Sequence, residues 1–233
     1  MAVLSVKNLC KTYPAFSLKN VSFEIEKGSI MGFIGRNGAG KTTTLKSLLN
    51  LVSPDSGTIE FFGLSLKGNE AQIKQKVGYV VSTDGYYKKK KIAQITNVTK
   101  SFYENWDEEA YQHYLQVFKL DPQKSPAQLS EGMKVKYSIS LALSHKAELL
   151  ILDEPTSGLD PISRAELLDI FNQLKAKGIS ILFSSHITTD LDKCADTITY
   201  IKQGSILYSG KTEEIGMTLD DFMLKNEKEE IHV

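Results

Sequence analysis

The sequence predicts an α/β protein in which a mainly parallel core sheet carries an inserted helical lobe. Three observations lead there. Apolar runs of strand length alternate with helix-period segments after Ala147, and helix-period patterns dominate from about Ile92 to Ala147. In addition, Gly35–Thr42 joins an apolar run to an amphipathic segment through a glycine-rich turn.

From Val3 to about Phe62 the pattern is β-like, broken by that turn and one helix. Val21, Phe23 and Ile25 alternate with polar residues, as in a half-buried strand. Ser29 to Ile34 is an apolar run that reads as a buried strand. Lys41 to Leu51 places Leu45, Leu48 and Leu49 at helical spacing, and Ser53-Pro54-Asp55-Ser56-Gly57 stops it. Thr58 to Phe62 and Val77 to Val81 read as further strands. In the helical stretch, Asp107 can cap a helix whose face carries Tyr111, Tyr114, Leu115 and Phe118, with Asp121-Pro122 closing it. A second helix follows Ser130, with Val135, Ile139, Ala142 and Leu143 near one side. Leu149–Leu152, Ile179–Phe183, Thr197–Ile201 and Ser205–Tyr208 then read as strands, and Arg164–Lys175 as a helix. The polar tail from Asn226 to Val233 reads as frayed.

Bulk properties narrow the function. The chain has 233 residues, enough for a well-buried core. Lys+Arg and Asp+Glu balance at 28 each, so no polyanionic partner such as nucleic acid is implied. Cys10 and Cys194 have no metal-like spacing and read as isolated thiols of a reducing compartment. No signal-peptide pattern begins the chain, and no apolar run approaches the ~20 residues of a spanning helix. Membrane contact, on this reading, goes through a partner.

Gly35-Arg36-Asn37-Gly38-Ala39-Gly40-Lys41-Thr42 fits the P-loop pattern, with four residues between the outer glycines and then Lys-Thr. Glycines let successive backbone N–H groups turn inward, and a following helix N-terminus adds positive potential for an anion. Lys41 offers a point charge to terminal phosphates, and the Thr42 hydroxyl can ligate Mg2+. By average residue frequencies, such a match arises by chance in roughly one chain of this length in a hundred. Here it sits between a strand and a helix, where the chemistry requires it. Further on, Leu149–Leu152 ends in Asp153-Glu154. Ligands of open parallel sheets bind at the carboxyl ends of strands, so Asp153 can reach the metal and Glu154 can orient and deprotonate a water.

At this point the sequence resembles the ATP-binding-cassette (ABC) family, in order from about residue 3 to 210. Ser130-Glu131-Gly132-Met133 resembles its signature. Asp153-Glu154-Pro155-Thr156-Ser157-Gly158-Leu159-Asp160 matches its Walker B and D-loop. His186 matches its switch histidine, and Tyr13 the aromatic residue that stacks on adenine. The resemblance implies an ATP- and Mg2+-dependent ATPase with an N-terminal antiparallel β-subdomain and an α-helical subdomain at about 83–147. It also implies one domain over 1–210, a partly flexible extension at 211–233, and a head-to-tail homo- or heterodimer.

In that dimer ATP lies between the cradle of one chain, Gly35 to Thr43, and the signature of the other. The resemblance assigns catalysis to Glu154, His186 and Lys41, and Mg2+ to Thr42, Asp153 and Ser82. Nucleotide contacts fall to Tyr13, Gly35, Arg36, Asn37, Gly38, Ala39, Gly40, Lys41, Thr42, Thr43, Ser130, Gly132 and Asp160. The helix after Ser130 would aim its N-terminus at the γ-phosphate across the interface. His113 and His145 have no motif around them and read as structural.

Two departures stand out. The Q-loop glutamine after the Gly78-Tyr79-Val80-Val81 strand is missing, leaving Ser82 or Asp84 to replace it. The signature carries Glu131 and Met133 where Gly and Gln are usual, which points to tuned-down hydrolysis. Tyr86-Tyr87-Lys88-Lys89-Lys90-Lys91 is a solvated turn or a basic edge at a coupling surface near anionic lipid. Phe102-Tyr103-Glu104-Asn105-Trp106-Asp107 reads as core packing plus a helix cap. With the signature, it is similar to the short ATPase subunits of bacterial ABC-2-type exporters of drugs, antimicrobial peptides and phenol-soluble modulins. The expectation is therefore a cytoplasmic ATPase, peripheral at the inner face of the membrane, that works with a transmembrane permease subunit. The alternative is a soluble ABC-type ATPase outside transport.

Overall fold

The computed structural model describes residues 1–80 and 89–227. The chain opens with β1 (Ala2–Tyr13), β2 (Phe16–Glu26) and β3 (Ile30–Ile34), followed by α1 (Lys41–Leu48), β4 (Ser56–Phe61) and β5 (Leu64–Ser65). Then come α2 (Leu66–Lys74), whose first turn is broken at Lys67–Asn69, and β6 (Val77–Val80). The lobe holds α3 (Ile92–Thr99), α4 (Glu108–Val117) and α5 (Glu131–Ser144). The chain returns through β7 (Leu149–Asp153), α6 (Pro161–Ala176), β8 (Ser180–Ser185), α7 (Thr188–Leu191), β9 (Thr197–Lys202), β10 (Ser205–Lys211) and α8 (Leu219–Glu227).

Two sheets form. One is four-stranded and antiparallel, in the order β2-β1-β4-β5. The other runs β10-β9-β3-β8-β7-β6, parallel except for β10 at its edge. The parallel strands are continuous apolar runs because both faces are covered. One face meets the antiparallel sheet and α1 through Leu4, Phe33, Leu45, Phe61 and Ile151; the other meets α5 and α6 through Ile139, Leu150, Leu168, Phe171 and Phe183. Parallel pairing brings the carboxyl ends of β3, β7 and β8 together, with Ile34 beside Ser185 and Asp153 beside Ser184. That edge carries the residues singled out above.

The lobe has its own core of Ile92, Tyr111, Leu115, Leu129, Tyr137 and Leu141. α5 serves both cores, which explains its nearly all-round burial. Inside, Thr96 Oγ1 lies 2.8 Å from the Tyr111 hydroxyl and 2.9 Å from that of Tyr137, so these buried polar groups satisfy one another.

Several expectations need correction. Asp107 does cap α4, accepting from the Ala110 amide at 2.9 Å. The helix nevertheless stops at Val117, before Asp121-Pro122, because Lys119 turns left-handed (φ 53°) and Leu120 N–H reaches back to Leu115 C=O. In the Phe102–Asp107 string, Phe102 is 71% exposed and is not core. Tyr103 stacks instead on His145 at 3.8 Å, and Trp106 packs on Tyr111. His145 is structural: it is buried, its Nδ1 lies 3.1 Å from Gln75 C=O, and burial holds its pKa below the ordinary value. Burial pushes the Cys194 thiol up to about 12, consistent with an unreactive packing residue. Finally, Asn226 and Glu227, read as frayed tail, belong to α8 and are docked. Lys202 Nζ donates to Asn226 C=O at 2.8 Å, and the Tyr200 hydroxyl donates to Glu227 at 2.6 Å.

Candidate active site

The glycine-rich turn leaves β3 and enters α1 at Lys41. Gly35 has no room for a side chain, because a Cβ there would strike the Ile201 carbonyl oxygen. Gly40, at the N-cap of α1, holds φ 118°, and a Cβ would lie 2.7 Å from Leu18 and 2.9 Å from the Phe16 ring. The loop therefore lies tight against β9 and β2, with its other side open to a cavity of about 620 Å³. Arg36, Asn37, Gly38, Gly40, Lys41, Thr42 and Thr43 line that cavity from one side, and Glu154, Ser157 and His186 from the other. Ala39 faces an adjoining recess with Gly35 and Arg36.

Lys41 is 5% exposed, an uncommon state for an ammonium group. Its Nζ donates to Gly35 C=O at 2.7 Å and lies 3.3 Å from Glu154 Oε1. The other carboxylate oxygen of Glu154 is 2.7 Å from His186 Nδ1, within hydrogen-bond reach, and an ionised carboxylate can only accept there. One carboxylate thus bridges an ammonium and an imidazole. Its backbone is held just as firmly: Glu154 adopts φ 50°, which costs about 1 kcal/mol for a residue with a side chain. Ser184 compensates, accepting from the Glu154 amide at 2.9 Å and donating to Asp153 Oδ1 at 2.6 Å. Sequence reading did not single out Ser184, whose role arises from the β7–β8 register.

Tyr13 is 38% exposed and stands at a recess shared with Ala15, Phe16, Gly38 and Gln203, next to the main cavity. Ala15, Phe16 and Ser157 line the cavity as well and were not foreseen. The signal for the first two was the Tyr13-Pro14-Ala15-Phe16 turn between two strands. Ser82 and Asp84 lie outside the described residues, as do Tyr86, Tyr87 and Lys88; Lys89, Lys90 and Lys91 are exposed.

Ser130, Gly132 and Asp160 do not line this cavity. Ser130 is the N-cap of α5, its hydroxyl accepting from Met133 N–H at 3.3 Å. Asp160 caps α6, accepting from the Ile162 and Ser163 amides at 3.0 Å and from the Ser163 hydroxyl at 2.6 Å. These bonds, the Ser163 hydroxyl first, hold its carboxyl below the usual range. Gly132 joins the two caps, since a Cβ there would meet Ser163 Cβ at 3.6 Å. Glu131, the unexpected acid, is paired with Lys134 at 2.6 Å. The result is a second patch: two helix N-termini side by side, each with an exposed capping side chain.

The arrangement can bind a polyphosphate along the turn and present a carboxylate to a water. Among the described residues, no cluster of three or more His, Cys, Asp or Glu could hold a metal, and no helix is long and apolar enough to cross a membrane.

Comparison with known proteins agrees. Residues 18–157 match the family model described as ABC transporter. The bacitracin transport ATP-binding protein BcrA of Bacillus licheniformis is 35% identical over 88% of this chain and 68% of its own length. The lantibiotic transport ATP-binding protein SrtF of Streptococcus pyogenes is 35% identical over 88% of this chain and 89% of its own. A solved structure of the ATP-binding subunit of an ABC transporter superposes with a TM-score of 0.87 at 30% identity, covering 97% of this chain and 100% of that one. The chain belongs to the ABC transporter family, as an ATP-binding subunit with the family's ATPase activity.

Proposed function

We propose that this ABC ATPase subunit powers an exporter by binding and hydrolysing ATP between two copies of the fold, or between this chain and a similar one. The observation that carries the reading is the Glu154 carboxylate, held between Lys41 and His186 at the mouth of the cradle.

In the resting chain Lys41 is occupied by Glu154 and by the loop's own carbonyls. A triphosphate seated on the amides of Gly35 to Thr43, its adenine on Tyr13, offers Lys41 a stronger anionic partner. The ammonium then exchanges Glu154 for phosphate, which frees the carboxylate as a general base for water. His186 keeps hold of that carboxylate and orients it. The exchange couples ATP arrival to activation of the base. Mg2+, when bound, would neutralise developing phosphate charge. Thr42 and Asp153 supply suitable hard oxygen donors for it. Ser82 is a further candidate ligand by sequence.

In the single chain the Ser130–Asp160 patch does not line the cradle's cavity. In a head-to-tail pair, the N-terminus of α5, with Ser130 and Gly132, would face the γ-phosphate bound by the other copy, and Asp160 would lie at the interface. We assign residues 1–210 to one domain, with a helical subdomain at about 83–147, and 211–233 to an extension. The transport names of BcrA and SrtF support a role in moving peptide-like cargo out of the cell, with the ATPase at the cytoplasmic face of the membrane on a transmembrane permease. Co-purification from detergent-solubilised membranes tests this. The expected result is a complex with an integral membrane protein whose cargo raises ATP turnover. A chain recovered only with soluble partners would favour the non-transport alternative.

A further inference from the structure

α8 lies beyond the stretch matched to the family, yet its Met223 and Glu227 share a recess with the phosphate-binding turn and His186. Its first turn is tied to α7, just after His186, by a hydrogen bond from Thr188 to Asp220 and another from the Leu219 amide to Asp192 at 3.2 Å. Its middle packs Phe222 against Tyr200 and Tyr208, with ring centroids 5.7 and 5.5 Å apart. Glu227, also on this helix, arrives beside the phosphate-binding turn and lines the recess there with Gly35, Arg36 and Met223.

Glu227 is held by groups from outside its own helix. The buried Tyr200 hydroxyl donates to Oε1 at 2.6 Å, while Oε2 faces Arg36 Nη1 at 3.8 Å and Lys202 Nζ at 3.9 Å. The two partners of the first pair differ. The Glu227 side chain is 16% exposed and pinned, whereas that of Arg36 is 73% exposed and free to choose among rotamers. Arg36 also lines the main cavity, so a phosphate there and Glu227 on the flank draw on the same guanidinium.

We propose that Glu227 is a positioning residue that holds the Arg36 guanidinium on the outer flank of the turn, lowering nucleotide affinity and easing product release. This inference rests on the reading of Gly35–Thr42 as the phosphate cradle. An exposed ion pair of this kind changes an equilibrium by a few-fold at most, so the effect is a tuning one.

Calorimetric titration of the full chain with Mg-ADP, which permits no turnover, gives the test. Glu227→Gln keeps the side chain's shape and should bind ADP about threefold more tightly at low salt. The gain should shrink in 0.5 M salt, where such a pair is screened. The ATP KM should fall without a rise in kcat. Tyr200→Phe, which keeps the core ring but releases the carboxylate, should shift the affinity in the same direction. Lys225→Gln, an exposed change on the same helix, should leave it unmoved. In an Arg36→Gln background, Glu227→Gln should do nothing further. An unchanged or weakened ADP affinity in folded Glu227→Gln would overturn the proposal. So would an equal gain in the Arg36→Gln background, which would point to a general charge effect. If Glu227→Gln fails to fold, Tyr200→Phe decides alone. Wild-type chain that binds no ADP would instead refute the cradle assignment.

Discussion

The cavity at Lys41 and the patch at Ser130–Asp160 use the same physical device, a helix N-terminus, in opposite ways. At the cavity, the charged groups are drawn inward and satisfied by one another: Lys41 by Gly35 and Glu154, Glu154 by His186, Asp153 by Ser184. At the patch, Ser130 and Asp160 are exposed, and among the described residues their side chains are bonded to the first turns of their own helices. On the proposed reading, the first region is a catalytic half that rests in a self-neutralised state, and the second is an anion-binding surface for the nucleotide of another copy. The contrast is what a head-to-tail pair predicts, since each chain would supply its two regions to two different sites.

The sharpest way to break this comparison is complementation. Lys41→Ala should lower ATPase activity by at least 100-fold through loss of phosphate charge stabilisation. Gly132→Asp should do so through a like charge at the γ-phosphate. Its Cβ meets only ordinary contacts at Ser163, so the chain should fold. Mixed together, the two inactive chains should regain activity, because a mixed pair contains one site with both halves intact. Continued inactivity of the mixture in a pair that demonstrably forms would refute the two-site arrangement.

A smaller effect concerns the hinge of the first region. Ser184→Ala leaves the Glu154 amide and Asp153 carboxylate without their shared partner. We expect a loss of about 1–3 kcal/mol in stability from the buried unpaired amide, read as a lower Tm, and roughly tenfold in kcat with little change in KM.

Legibility followed how local the chemistry is. The cradle and the Asp153-Glu154 pair were readable because consecutive residues define them: glycines allow the turn, Lys-Thr follows, and an apolar strand delivers two acids to its carboxyl end. The cap at Asp107 and the helix start after Ser130 were readable for the same reason. Ser184 and Glu227 were not, since their roles depend on strand register and on where α8 docks. The Phe102 error has a related cause. An aromatic string signals burial on average, but at the end of the short helical turn after α3 the Phe102 ring faces outward while Tyr103 turns in to His145.

The mildest prediction lies farthest from the nucleotide. His145 titrates below its ordinary 6.5 when folded, because burial disfavours the imidazolium. The unfolded chain therefore binds the extra proton first as pH falls. The contribution to stability is complete above about pH 6.5 and is lost as pH falls towards the folded value. Thermal melts should show Tm dropping between pH 7 and 5, and His145→Gln should flatten that drop even if its Tm at pH 7 is lower. An unchanged slope would assign the drop to other groups.

In the proposed mechanism Glu154 is the base of a site whose nucleotide affinity lies elsewhere, in the Gly35–Thr42 turn. Parallel measurement of ATP binding and steady-state turnover in Glu154→Gln tests it most directly. Saturable Mg-ATP binding, at least as tight as in the unaltered chain, with hydrolysis reduced by 100-fold or more, is the expected result. Turnover close to that of the unaltered chain, or no nucleotide binding by either folded protein, would contradict the account.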